Sequence, residues 1–354
     1  MSHDHCAGID AQNDFCGSLR WSHYFYELIV LNKSTKIKIK YLLGAAFFVL
    51  LSYSLYHQIS SQKNLQERWM EITEVWKSPG IYLVILLMFF NWGIEAAKWR
   101  YMLKPIQKLD FLTALKSIFA GCAVTMITPN RMGEFGGRIL FVLPEHRLRA
   151  VSISIIGSIS QTLTTFIAGS AALIFFINSH FVGEGQVVAD FLHQKTIWLV
   201  SIGITVLLAL LFFYENAVWR ILQRIPLVNK YLNYLSIRDL YPHKTLLRIL
   251  GFSFLRYLVF ILQYIMILKT LQIEIQPLSA IAMSAVFFLS MALAPTLGFL
   301  ELPVRSQLGL ALFGLLTNDL LGLQTATAAI WLINIIAPAV IGLFIILFTK
   351  YKNP

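Results

Sequence analysis

Two places in this 354-residue chain set a carboxylate and a guanidinium four residues apart just after a proline. They are Glu134-x3-Arg138, which follows Pro129, and Glu301-x3-Arg305, which follows Pro295. On a helix that spacing puts both side chains on one face. An arginine offers paired donors to a phosphate, and a glutamate can hold an ammonium group or carry a proton. Arg131 stands in the same break as Glu134, and Arg256 and Gln161 lie in other apolar runs. These seven residues form the candidate substrate-binding set. The competing reading is structural: each Glu neutralises its own Arg and pins the local fold.

Other polar residues in apolar sequence carry less. Glu95 and Lys98, three apart near the end of a run, read as partners of each other. Arg256 either snorkels to the membrane surface or lines a cavity. Ser158, Gln161, Thr162 and Thr165 make a polar stripe at helical spacing, which suits interhelical hydrogen bonding at least as well as ligand contact. Trp92, Trp99, Trp198, Trp219 and Trp331 mostly flank the runs, as an interfacial aromatic belt would.

The elements that must position these groups are membrane helices. The chain is 57% hydrophobic and only 13% charged, whereas soluble domains run near 25% charged. Six apolar runs reach the roughly 20 residues needed to cross a bilayer. They are Tyr41–Ile59, Ile81–Lys98, Val151–Ile177, Thr196–Tyr214, Ile249–Leu268 and Gln324–Phe348. Two further stretches, Phe111–Leu143 and Pro277–Leu316, are interrupted at the Pro/Gly breaks. Their arms are short, so each reads as a re-entrant hairpin; two kinked full spans are the alternative. The fold class is therefore an all-α polytopic membrane protein. It has about six full transmembrane helices plus two oppositely oriented re-entrant hairpins.

Charge orients this plan. With both termini in the cytoplasm, inside segments carry 19 Lys/Arg and outside segments 5, a strong positive-inside bias. The order span, span, hairpin, span then occurs twice with opposite orientation, about residues 41–178 and 196–349. That is the inverted-repeat plan of many transporters, with the site where broken helices meet. Residues 1–40 are a polar lead expected to be disordered, and 41–349 form a single transmembrane domain.

Several chemistries are excluded. All eight His fall in tails, loops or span ends, which argues against a membrane metalloprotease or a histidine-based lipid phosphatase. The chain has no Walker A, Gly-x-Ser-x-Gly or His-Glu-x-x-His sequence. No cofactor and no metal are expected. The formal charge of +11 fits loops facing anionic lipid rather than nucleic acid. The partner is a membrane phospholipid or other lipid, and a homo-oligomer is compatible with the sequence.

Thr128-Pro129-Asn130-Arg131-Met132-Gly133-Glu134 with Arg138 resembles the lysylphosphatidylglycerol synthase transmembrane family, also described as flippase-like. Trp99-Arg100-x2-Leu103, Ser160-Gln161 and Pro295…Gly298…Glu301 fit as well. The resemblance runs over roughly residues 41–349. It departs at Pro295-Thr296-Leu297-Gly298-Phe299-Leu300-Glu301, where many relatives are richer in glycine. It implies a flippase-like protein that moves a lipid between leaflets, typically an aminoacylated phospholipid, in the bacterial plasma membrane. The soluble aminoacyl-transferase domain of longer relatives is not in this sequence, so no enzyme activity is expected. The alternatives are a membrane-embedded lipid-modifying enzyme using Glu134 or Glu301, or a non-transporting accessory protein of an envelope-lipid pathway.

Overall fold

The computed structural model describes residues 73–126, 128, 132–176, 194–213, 241–294 and 301–349, with a few isolated helical positions besides. Arg131, the first apolar run Tyr41–Ile59 apart from Val49, Tyr53 and Tyr56, the lead 1–40, and residues 129–131 and 295–300 of the two breaks lie outside the described residues. Every element below belongs to the compact unit Leu51–Pro354.

Ten α-helices occur among the described residues, and no strand. Helix α1 is Pro79–Leu103, α2 Phe111–Thr125 and α3 Gly133–Ile139. A 3-10 turn at Pro144–His146 leads into α4, Arg147–Phe176. Helix α5 is Lys195–Phe213, α6 His243–Thr270, α7 Pro277–Leu293 and α8 Glu301–Phe313. Helix α9, Leu320–Trp331, passes through a π turn at Leu332–Ile336 into α10, Ala337–Phe348.

Five of these segments are long and apolar enough to span: α1, the 3-10 turn with α4, α5, α6, and α9 through α10. They match the five expected runs that fall among the described residues. The chain is an all-α polytopic membrane protein. Helices α2, α3, α7 and α8 hold 15, 7, 17 and 13 residues. At 1.5 Å per residue all four fall short of a hydrocarbon core of about 30 Å. The second arm of the first break is shorter than the sequence suggests, since α3 stops at Ile139.

Local chemistry explains the ends. Proline occupies the first turn of α1 and α7, where its missing N–H costs nothing, whereas Pro338 directly follows the π turn inside the continuous span of α9 and α10. Asp110 caps α2 by accepting from the Thr113 N–H at 3.0 Å. Hydrogen bonding from Thr113 also holds its carboxyl below the ordinary aspartate value.

Helix α2 is gripped between α3 and α10. The grip depends on two glycines. A Cβ on Gly137 would overlap the backbone of Ala120, and one on Gly342 would overlap the Phe119 carbonyl. Lipid tails are as apolar as the helices, so association here gains from close backbone approach rather than from hydrophobic burial. Elsewhere α1 packs on α6, α7 on α4, α5 on α4, and α8 on α7 and α9. An aromatic cluster of Tyr264, Phe287, Phe288 and Phe313 fills the space among α6, α7 and α8.

Candidate functional site

Glu95, on α1, is the centre of the charged network. Its carboxylate accepts from Lys98 Nζ at 2.8 Å, from Arg138 Nη2 at 2.8 Å and from Arg256 Nη1 at 3.0 Å. One acid on α1 therefore binds its own helix, α3 and α6. Arg138 also pairs with Glu134 one turn earlier. The Arg138 guanidinium lies 5.4 Å from the Trp99 ring centroid. Trp99 Nε1 donates to Ser117 Oγ at 3.0 Å, and that hydroxyl donates to the Arg138 carbonyl at 2.9 Å. Helix α3 is thus fixed to α1 and α2 at the residue that carries its charge.

Arg256 donates through Nε to Asn91 Oδ1 at 2.7 Å and stacks over Trp92, 4.7 Å from the ring centroid. Lys98, 1% exposed, lies 3.4 Å from Ser253 Oγ on α6, which in turn meets Ser160 Oγ on α4 at 2.7 Å. On the other side of the site, Arg305 donates to Glu301 at 3.1 Å and faces Phe287 at 5.7 Å.

These groups surround one cavity of about 630 Å³, within the usual range for a small-molecule site. Glu95, Lys98, Glu134, Arg256, Glu301 and Arg305 all line it. The two broken stretches therefore meet at one place. Of the sequence candidates, Glu134, Gln161, Arg256, Glu301 and Arg305 are on the wall. Arg138 is not: it is 3% exposed and stands directly behind Glu95 and Glu134. Its place is that of a positioning residue. Arg131 lies outside the described residues.

A model of the lysylphosphatidylglycerol synthase TM region matches residues 39–300. The chain belongs to this family. No curated protein matches it. The family match takes in the Glu95 network and the first Glu-x3-Arg pair and ends one residue before Glu301.

In this family member two readings from sequence change and one is resolved. Glu95 and Lys98 do not pair with each other alone. Helix α1 continues to Leu103, so Glu95 lies inside the bundle, where α3 and α6 reach it. Trp92 and Trp99 are not belt residues: Trp92 lines the cavity and Trp99 is fully buried. Ser158, Thr162 and Thr165, whose stripe left interhelical bonding and ligand contact both open, line the cavity together with the candidate Gln161. A signal for Glu95 was present in the sequence. Arg256 has no acid in its own run, and a buried charge needs a partner. Glu95 was the acid not already committed to a break.

The wall also holds Asn334, in the π turn, a type of helix defect frequent at functional sites. The arrangement pairs fixed cations with neutral hydrogen-bonding groups in a hydrocarbon setting. It is suited to holding a polar or anionic group.

Proposed function

We propose that the protein is a flippase-like carrier that moves a phospholipid or related lipid between the leaflets of the plasma membrane. The observation that carries this reading is the meeting of both broken stretches at one charged cavity. A headgroup would enter it while the acyl chains stay in lipid. Arg256 and Arg305 would take phosphate, with Arg138 held behind them by Glu95 and Glu134. On this reading the chain makes no covalent change to its lipid and is not itself an enzyme.

Two packing relations support an inverted repeat. Helix α2, the first arm of one broken stretch, packs on α10, while α7, the first arm of the other, packs on α4. Helices α1 and α6, second in each half, pack on one another. A two-fold axis in the membrane plane would produce this exchange. The short arms then act as re-entrant hairpins entering from opposite faces, with both termini in the cytoplasm.

The test is reconstitution. In proteoliposomes with fluorescent lipid in both leaflets, a carrier makes nearly all of the label accessible to external dithionite, against about half in empty vesicles. Protection equal to that of empty vesicles, from folded protein, would reject transport. A lipid product of altered mass would instead favour an enzyme.

A further inference from the structure

We infer that the π turn at Leu332–Ile336 is a hinge, about which α8 and α9 swing together against α10 and the helices that hold it. On the carrier reading above, on which this function of the hinge rests, that swing changes the face from which the cavity is reached.

The cause of the turn is a residue type. Pro338 has no backbone N–H to give the Asn334 carbonyl one turn earlier, and in a regular α-helix its ring would crowd that oxygen. The backbone widens instead, and the Ala337 N–H reaches back to the Leu332 carbonyl. The Asn334 side chain, buried, donates to the Ile330 carbonyl at 3.2 Å. That bond ties the turn to the end of α9 without relying on the ladder beyond it. The span Leu320–Phe348 is thereby interrupted at one place, of the kind where helices bend.

Different partners hold the two sides of that place. Helix α10 lies on α2, where Gly342 lets the backbones touch at the Phe119 carbonyl. Helix α2 in turn grips α3, and Arg138 of α3 is bonded to Glu95 of α1. Helices α1, α2, α3 and α10 are thus braced together by backbone contact and a buried ion pair. Helix α9 packs on α8 and on α6. Among the described residues, the Glu301–Arg305 pair of α8 makes no ion pair with another helix. The neighbours of α8 on α6 and α7 are rings: Arg305 faces Phe287, and Phe313 stacks on Tyr264 with the planes 4° apart. Offset rings slide at smaller cost than a buried ion pair separates. Helices α8 and α9 can therefore move without stranding a charge, whereas α3 cannot. Ile330, Asn334 and Ile335 are on the cavity wall, as are Glu301 and Arg305. A swing there carries one charged side of the cavity past the other, as hinge motion about a ligand site does.

The test is pulsed electron–electron resonance on the full-length protein in lipid nanodiscs, in a chain freed of its native cysteines. Spin labels at Ala311→Cys on α8 and Leu343→Cys on α10, both exposed positions, lie across the hinge. Labels at Leu112→Cys on α2 and Leu343→Cys lie within the braced group. The Ala311–Leu343 distance distribution should be clearly wider than the Leu112–Leu343 distribution, or split into two. Pro338→Ala returns an N–H for the Asn334 carbonyl and should narrow the first distribution to the width of the second. Equal widths in the parent protein would mark a fixed kink and overturn the hinge, whether or not the Pro338→Ala protein folds. A distribution that stays wide in folded Pro338→Ala would overturn it as well. A wide distribution that Pro338→Ala narrows, in a protein that moves no lipid in proteoliposomes, would keep the hinge and remove the carrier. Lipid movement with equal widths would do the reverse.

Discussion

The Glu95 carboxylate accepts a 2.8 Å hydrogen bond from the Arg138 guanidinium, across 43 residues of sequence. That bond makes the two Glu-x3-Arg pairs unequal. Arg138 has two carboxylates, on α1 and α3, whereas the Glu301 partner of Arg305 comes from its own helix. The sequence suggests equivalent pairs; the structure gives one pair anchored to a second helix.

Glu95→Gln should therefore be the most damaging single charge removal. It strands Lys98, part of Arg138 and Arg256 together, and breaking a buried pair typically costs about 3–5 kcal/mol. Glu134, whose side chain is 24% exposed against 3% for Glu95, should lose clearly less in Glu134→Gln. Thermal unfolding of detergent-purified variants orders them, and an equal or larger loss in Glu134→Gln would refute the hub.

The paired removals separate site from scaffold. Glu301→Gln with Arg305→Gln takes away both charges of a self-contained pair and should unfold within a few degrees of the parent. Lipid transport should nonetheless fall below a tenth, as about 1.4 kcal/mol or more of lost interaction requires. Glu134→Gln with Arg138→Gln should be less stable, because it leaves Glu95 with fewer cations. Full transport by both folded double variants would end the assignment of these four residues to the site.

Orientation is checked by labelling. In a chain freed of Cys6, Cys16 and Cys122, Gln186→Cys should react with an impermeant maleimide from outside intact cells. Asn233→Cys should react only after permeabilisation. The opposite pattern would reverse the charge-based topology and remove the inverted repeat.

Backbone contact around α2 predicts a sharp contrast between neighbours. Gly137→Leu must push α3 off Ala120, so the protein should fail to assemble or lose most of its stability. Gly136, whose Cβ position has nothing within 4 Å, should accept alanine with little change, or a small gain from helix propensity. Yield and monodispersity on size exclusion distinguish the two.

Much of this architecture is legible in the residues. Apolar run length gives the spans from Ile81 onward, because bilayer thickness dictates it. Pro129 and Pro295 give the breaks because proline cannot continue the hydrogen-bond ladder. Helical spacing gives the Glu134–Arg138 and Glu301–Arg305 pairs, which are local. The hub at Glu95 was obscured because its partners are 43 and 161 residues away, and spacing rules say nothing about tertiary pairs. The polar stripe at Ser158 and Gln161 was ambiguous for a similar reason: a face at helical spacing looks alike whether another helix or a cavity covers it. Trp92 misled because a tryptophan near a run's end serves an interface or a buried cation equally well by composition.

The π turn at Leu332–Ile336 holds one residue more than an α-helix would need over the same path. In the arithmetic of chain length it is an insertion that the span has absorbed. One residue corresponds to about 100° of helical rotation. Because the wide turn takes up the extra residue, the faces beyond it keep their phase and Gly342 meets the Phe119 carbonyl. A deletion after the turn, at Ala339, has no such turn to absorb it and would bring Leu343, whose bulk cannot fit there, into the place of Gly342. The length of chain between the π turn and Gly342 is thus fixed by that one backbone contact.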